Sequence, residues 1–299
     1  MRARLMLAAM VSVLMSAGAH AQDGARAFHL LPENTNVISL TATHVHTDRD
    51  GNDFGATVVT PSYQRSIDVF GNAGTLLIGL PVGSLSASLA TPLGSVELDT
   101  DPAQGDLFLG AMLGLIGSPT LSPMDYAQYK PGFRASVAAR LFLPTGDYDS
   151  SRFLNLGGNR WSLQASLPIS YVLGDTMIDE NLTTFEIMPV VQIFGDNDDP
   201  FGPAGVVSQD PLFALEGHVT RNFGRTLWAS LDGTYKRGGE TSADGVANGD
   251  AQESLSLGAT LGLSLSPSLA LRFSYDEVVH SNVANSATRS FRATSAFRF

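Results

Sequence analysis

The 299-residue chain contains no cysteine. A secreted domain without disulfides has to be held by a large core, by a metal ion, or by a different solvent. Beyond its N-terminal stretch the chain has no run of about 18 apolar residues, which excludes membrane-spanning helices. Basic side chains are scarce: 18 Lys and Arg stand against 29 Asp and Glu, a formal net charge of −11. With no clustered basic face to meet phosphates, nucleic acid is excluded as a partner. No linker, low-complexity tract or shift in composition divides the chain.

What is present begins with MRARLMLAAMVSVLMSAGAHAQD. Arg2 and Arg4 make a basic start, Leu5 to Ala17 an apolar stretch, and Ala19-His20-Ala21 a small-x-small cleavage site, the anatomy of a secretory signal peptide. Residues 1–21 are therefore expected to be removed, leaving 22–299 as one domain. The apolar stretch falls short of the about 20 residues that a permanent helix needs. Two of the 18 basic side chains leave with the leader, so the balance turns more acidic.

The rest of the chain repeats a period of two. Around GFRASVAARLFL, Phe133, Ala135, Val137, Ala139, Leu141 and Leu143 share one face, with Arg134, Ser136, Ala138 and Arg140 on the other. ESLSLGATLGLSLS sets Leu255, Leu257, Ala259, Leu261, Leu263 and Leu265 against Ser254, Ser256, Gly258, Thr260, Gly262 and Ser264. RWSLQASLPISYVL alternates in the same way from Trp161 to Leu173. Strict alternation marks strands with one apolar face rather than amphipathic helices. These segments are long, about 10–13 residues against the usual five or six, and a tilted strand needs about 9–11 to cross a bilayer. Their polar faces carry mainly Ser, Gly, Thr and Ala, which suits a narrow wet lumen.

The fold class that follows is all-β: a transmembrane antiparallel β-barrel of about 12 strands, with 10–14 compatible with the pattern. Candidate strands are 35–46, 56–70, 74–88, 106–117, 132–143, 160–173, 184–194, 211–221, 226–236, 253–265, 269–279 and 288–299. An even count lets both ends lie in the periplasm. Gly71–Ala73, Asn222–Arg225 and Ser266–Ser268 then become short inner turns, and 47–55, 89–105, 144–159, 195–210, 237–252 and 280–287 outer loops. The connections 118–131 and 174–183 are long for inner turns. A closed ladder satisfies every backbone group without an edge, so disulfides are unnecessary.

The loop Leu143–Trp161, LPTGDYDSSRFLNLGGNRW, is the densest cluster of turn chemistry. Pro144 ends the ladder for want of a donor; Gly146, Gly157 and Gly158 permit positive φ, and Asp147, Asp149, Asn155 and Asn159 can cap turns. Tyr148 and Trp161 suit an aromatic girdle at the outer headgroups. Thr145 and Arg152 complete the candidate residues of the loop. An ion pair from Arg152 to Asp147 or Asp149 would fold the loop inward and restrict the mouth; a solvated pair would contribute under about 1 kcal/mol.

The pattern L-P-T-G-x-Y-D-x-x-R-x-x-N-x-G-x-N-x-W, carried by Leu143, Pro144, Thr145, Gly146, Tyr148, Asp149, Arg152, Asn155, Gly157, Asn159 and Trp161, resembles bacterial outer-membrane proteins of the "meta-pathway of phenol degradation" type. Upstream, G-D-L-F-L-G (Gly105–Gly110) is similar to the family's strand leading into this region. The likeness is specific over roughly 105–173, and 22–90 shows no family pattern. The resemblance implies an outer-membrane barrel that passes small, often aromatic or apolar, compounds. The last residues, SFRATSAFRF, resemble the C-terminal signature of outer-membrane barrels, which implies recognition of Phe299 by the barrel-assembly machinery.

Inside the barrel, Arg134, Arg140, Arg272, Arg292 and Arg298 face Glu186, Glu216, Asp232, Asp276 and His218 from other strands. Such groups either pair and fill the lumen or form a selectivity ladder. Excess Arg at one level would favour small organic anions. HTDRDGND (His46–Asp53) and GDNDDP (Gly195–Pro200) do not follow the EF-hand spacing, and read as solvated loops or as carboxylates bridged by divalent ions to lipopolysaccharide. His44 and His46 share a face but are two ligands without a third, so no metal site is assigned. His280 and Ser281 are adjacent, which in a strand points them to opposite faces and removes the nucleophile–base pairing of an enzyme. No cofactor and no catalytic residue is expected. The expected partners are outer-membrane lipid, lipopolysaccharide and a small-molecule solute, and the expected role is a passive channel. The alternative is a non-conducting barrel with a structural or surface-interaction role.

Overall fold

The computed structural model describes residues 24–283 and 285–299; the leader and its cleavage site lie outside the described residues. β1 (Asn36–Arg49) turns tightly into β2 (Asn52–Val69). β3 (Asn72–Gly79) and β4 (Val82–Thr91) lie in line along one edge of β2, and β5 (Gly94–Asp99), β6 (Ala103–Gln104) and β7 (Phe108–Ile116) return along β4 and β3. A short helix, α1 (Pro123–Gln128), capped by Ser122, occupies the connection to β8 (Phe133–Phe142). β9 (Ser162–Ser166) and β10 (Ile169–Leu173), again in line, lie between β8 and β11 (Thr183–Phe194).

β12 (Val207–Gln209) leaves the wall, which continues as β13 (Leu212–Phe223) and β14 (Leu227–Gly238). β15 (Thr241–Ala243) pairs with β12 on one side and β16 (Val246–Ala247) on the other, as a separate small sheet. β17 (Gln252–Ser264), β18 (Leu269–Ser281) and β19 (Ser286–Arg298) complete the wall, and β19 pairs with β1 from Val37↔Arg298 to Arg49↔Ser286. With in-line segments taken together, the described residues form a closed antiparallel barrel of twelve strands. The wall is where period two placed it.

Both interruptions have one cause. Leu80 donates its N–H to Pro61, and Leu167 donates to Pro189; the next residues, Pro81 and Pro168, have no N–H to offer. The ladder therefore breaks and resumes. Five expected loops are also partly strand: in 47–55 and 280–287 the flanking strands simply run on, to Arg49 and from Asn52, and to Ser281 and from Ser286. In 89–105, β4 runs on to Thr91 and returns as β5, closed by Thr91 Oγ1 donating to Gly94 O at 2.6 Å. β5 offers only Val96 and Leu98 as alternating apolar residues, too few to mark a strand. In 195–210 and 237–252, β12, β15 and β16 are too short to show any period.

Burial is inverted relative to a water-soluble protein. Outward side chains include Phe213, Leu231, Leu257, Phe273, Phe291 and Phe297, all largely exposed, with Leu231 at 71%. Inward positions hold Thr184 and Thr220 at 0%, along with Arg134, Ser136, Gln164 and Thr260. Water solvates such an outer belt poorly, whereas hydrocarbon does not penalise it.

The two rims differ. One holds α1, the turns after β2, β13 and β17, the start of β1 and the end of β19, where Asn36 and Phe299 exchange backbone hydrogen bonds of 3.0 Å in both directions. The other holds the longest connections, after β8, β11 and β14, beside the tight β1–β2 and β4–β5 turns. We call them the terminal rim and the loop rim.

Leu231 sits near the middle of β14, and its replacement by Arg puts a charge at mid-height of the apolar belt. The Leu231→Arg barrel should lose about 2–4 kcal/mol of stability in guanidinium unfolding from lipid vesicles. An unchanged midpoint would mean that this face does not contact hydrocarbon.

Candidate functional site

The lumen contains a cavity of about 1700 Å³ whose lining reaches from Phe201 and Ala243 at the loop rim to Gly224 and Arg298 at the terminal rim. Its walls fall into three tiers.

At the loop rim the order of Leu143–Trp161 depends on a residue outside it. Asp106, just ahead of β7, accepts the N–H groups of Gly146 and Gly158 with its two carboxylate oxygens, both at 2.9 Å. Gly146 and Gly157 then meet backbone to backbone, and a Cβ on either would lie 2.6 Å from the other's main chain. Burial pushes the Asp106 carboxyl up, while these N–H donors, joined by that of Thr145, pull it back. Asp147 accepts from Gln104 N–H at 2.7 Å, and Thr145 Oγ1 accepts from Leu107 N–H at 3.0 Å. Asn155, buried, accepts from Asp149 N–H and donates to the carbonyls of Asp149 and Arg152.

Arg152, expected to draw the loop inward, pairs with Asp149 three residues away at 3.2 Å, and both side chains are well exposed. Water screens an exposed pair of this kind, so it adds little to the order of the loop. The Asp149 carboxyl is held below its usual range first by hydrogen bonds from Ser151, with Arg152 a smaller influence. Tyr148, expected in the outer girdle, instead lines the cavity and ties loops together. Its hydroxyl donates to Asp199 O at 2.8 Å and accepts from Asn197 Nδ2 at 3.0 Å. The phenol is drawn inward because these partners lie inside the mouth. Asn159 donates to Asn197 Oδ1 at 2.8 Å. Trp161 is half-exposed at the end of the wall, against Gly195.

Beneath the loops, aromatic rings and guanidinium groups share the vestibule. Arg140 lies 5.3 Å from the Phe108 ring centroid, and Phe108 packs on Phe142 at 5.7 Å. Arg160 lies 4.9 Å from Phe194 and donates to Gln209 Oε1. Burial lowers the Arg160 pKa to about 10, opposed by Asp196 and Asp106, so it stays a cation at neutral pH.

The middle tier is a polar network on β13, β14, β17 and β18. His218 Nδ1 and Asp232 Oδ1 are 2.7 Å apart, and His218 Nε2 is 3.7 Å from Glu216 Oε2. Asp232 also accepts from Ser230 Oγ and Thr260 Oγ1, each at 2.6 Å. Asp276 has Arg292 and Lys236 as its cationic neighbours.

The lowest tier is chain that enters the lumen ahead of β1. Arg26 N–H donates to Glu186 Oε2 at 3.0 Å, its Nη2 donates to Asn222 Oδ1 at 2.6 Å, and its guanidinium lies 4.6 Å from the Trp228 ring. The indole rests on Gly262, where any Cβ would collide with it. Arg272 Nη1 donates to Ala25 O at 2.9 Å, and Arg134 Nη2 to Phe28 O at 3.4 Å. Leu30 is buried with Ala73 and Met177, against Leu121, Tyr126 and Tyr129. Arg298, exposed at the rim, lines the cavity exit.

The ten inner-face candidates thus lie on the lumen side of the wall, but Asp106, Arg160, Asn197, Lys236 and Arg26 were not singled out from sequence. Asp106 had a signal, since it stands in the G-D-L-F-L-G stretch beside the loop motif. His44 and His46 face outward; His44 Nδ1 is 2.9 Å from Thr57 Oγ1, and His46 Nε2 is 3.5 Å from Asp53.

A family model described as "Putative MetA-pathway of phenol degradation" matches residues 34–293. The match takes in 34–90, where no family pattern is visible by inspection. Comparison with curated proteins finds no match. Among solved structures, the COG4313 outer membrane channel from Pseudomonas putida F1 is similar at 21% identity and a TM-score of 0.72, covering 90% of this chain and 97% of that one. The translocator domain of the autotransporter NalP from Neisseria meningitidis is similar at 11% identity and a TM-score of 0.56, covering 99% of each chain. At these identities the likeness is one of fold.

Replacing Asp106 with Ala removes both carboxylate acceptors, and each hydrogen bond to a charged group contributes about 1.5–3 kcal/mol. Trypsin cleavage after exposed Arg152 should accelerate at least ten-fold while the barrel stays folded by circular dichroism. An unaltered rate would show that the loop does not depend on Asp106.

Proposed function

We propose, from the premise that this chain belongs to the family described as "MetA-pathway of phenol degradation", that it is a bacterial outer-membrane channel for passive uptake of small apolar or aromatic compounds. The observation that carries this reading is the continuous cavity from loop rim to terminal rim, with aromatic rings at its outer end. The apolar outer belt and the signal-peptide pattern support placement in the outer membrane, with the terminal rim in the periplasm. The similar fold of a protein described as an outer membrane channel supports conduction.

Twelve strands stand between the about eight that side chains can fill and the about 16–18 that leave an aqueous channel. Such a barrel is too wide to close by itself and narrow enough for side chains and one inserted segment to restrict it. A second reading, a non-conducting barrel, is favoured by that segment, residues 24–35, whose backbone and Arg26 are bonded to the wall. Flux separates the two. Purified protein refolded in liposomes is expected to pass a small aromatic faster than a neutral sugar of similar size, corrected for protein-free vesicles. Removal of residues 24–33 should raise both fluxes several-fold. A folded barrel that passes nothing, with or without the segment, would overturn the channel reading in favour of the structural one.

A further inference from the structure

The protein is strongly acidic, yet its cavity is not. Arg26, Arg140, Arg160, Arg272, Arg292 and Arg298 line it, while the carboxylates on the lining, among the described residues, are Asp106 and Asp179. Both are engaged with backbone donors: Asp106 with Gly146 and Gly158, Asp179 with Asp175 and Asn181. Other lumen carboxylates are drawn into the wall, with Glu186 on the Arg26 N–H, Glu216 and Asp232 on His218, and Asp276 beside Lys236. The net −11 of the chain therefore resides largely in the loops. Exposed charges there are screened over about 8–10 Å at ordinary salt, whereas charges lining a narrow low-dielectric passage are screened much less.

The cations are also spaced along the axis. Register places Arg140 opposite Gly110 and Gln164 near the loop rim. Arg292 lies opposite Thr43 and Ser274, Arg272 opposite Gly262 and Thr294, and Arg298 opposite Val37 at the terminal rim. A carboxylate moving inward passes from one planar five-donor group to the next, and guanidinium matches carboxylate geometry with paired hydrogen bonds. In the vestibule each cation has an aromatic companion, Arg140 with Phe108 and Arg160 with Phe194, and Phe153 and Phe201 pack at 5.7 Å on the same lining. Flat apolar surface beside a fixed positive charge fits one ligand chemistry: an aromatic ring bearing a single carboxylate.

Resting on the channel reading above, we infer that the barrel selects anions and that its vestibule between Arg140 and Arg160 recognises an aromatic monocarboxylate. The test uses planar bilayers with benzoate as probe. A potassium chloride gradient should give a reversal potential of anion-selective sign. With potassium benzoate opposed to potassium acetate, benzoate should be the more permeant although it is larger. Arg140→Gln with Arg160→Gln should lower the benzoate-to-acetate permeability ratio about ten-fold. The paired Lys variants should keep anion selectivity but lose most of the benzoate preference, since Lys retains charge without the planar donor pair. A cation-selective channel, or acetate passing more readily than benzoate, overturns the inference and leaves the channel reading intact. Should the folded barrel be electrically silent, calorimetric titration with benzoate decides. Binding that the double Gln variant abolishes supports the site while conduction fails, and absence of binding overturns the site.

Discussion

Backbone pairing without water is the constraint on which everything else in this molecule depends. An N–H or C=O left unpaired in hydrocarbon costs several kcal/mol, so the sheet has to close, and the β1–β19 ladder closes it along the full length of both strands. Closure fixes the alternation of side chains between lipid and lumen, because a slip by one residue would exchange the two faces. The exceptions obey the same rule. Pro81 and Pro168 break their strands, but the carbonyls beside them still find partners: Gly105 N–H donates to Pro81 O at 2.8 Å and Ser136 N–H to Pro168 O at 2.9 Å.

Closure also dictates what the interior must do. Alternate residues of every strand point inward, and the lumen of a barrel this wide is neither dry nor simply open. The wall of β13, β14 and β18 carries the charged side chains Glu216, His218, Asp232, Lys236, Arg272 and Asp276. The wall of β1 and β2 offers Ser39, Thr41, Thr43, Val58, Thr60 and Ser62, which leave space. Burying opposed charges is costly unless each is paired, and the His218–Asp232–Thr260 chain shows pairing across three neighbouring strands.

Legibility in the sequence followed the length of the signal. Strands such as β8, β17 and β19 repeat period two often enough that their ends are recovered within a few residues. β12, β15 and β16 are too brief to carry a period, and β5 has only Val96 and Leu98 to show one. The site was less legible than the fold, because its key contacts join residues far apart. Asp106 acts on Gly146 and Gly158, and Arg26 reaches Glu186 and Asn222 across most of the chain. Arg152 and Asp149 were visible as neighbours because they are local, and locality is also why their pair is solvent-exposed. Tyr148 has the composition of a girdle residue, and only the position of Asn197 and Asp199 turns it inward.

The segment ahead of β1 has one more property, which follows from its covalent attachment. A stopper supplied by another molecule would occupy the lumen in proportion to its concentration. One joined through Thr35, whose N–H is held by Ser66 Oγ at 2.9 Å, meets its site at an effective concentration on the order of millimolar, set by the short connection. Its occupancy is a unimolecular equilibrium, indifferent to how many barrels the membrane holds. Any compound that displaced it would compete with a local concentration that dilution of the cell's surroundings cannot lower.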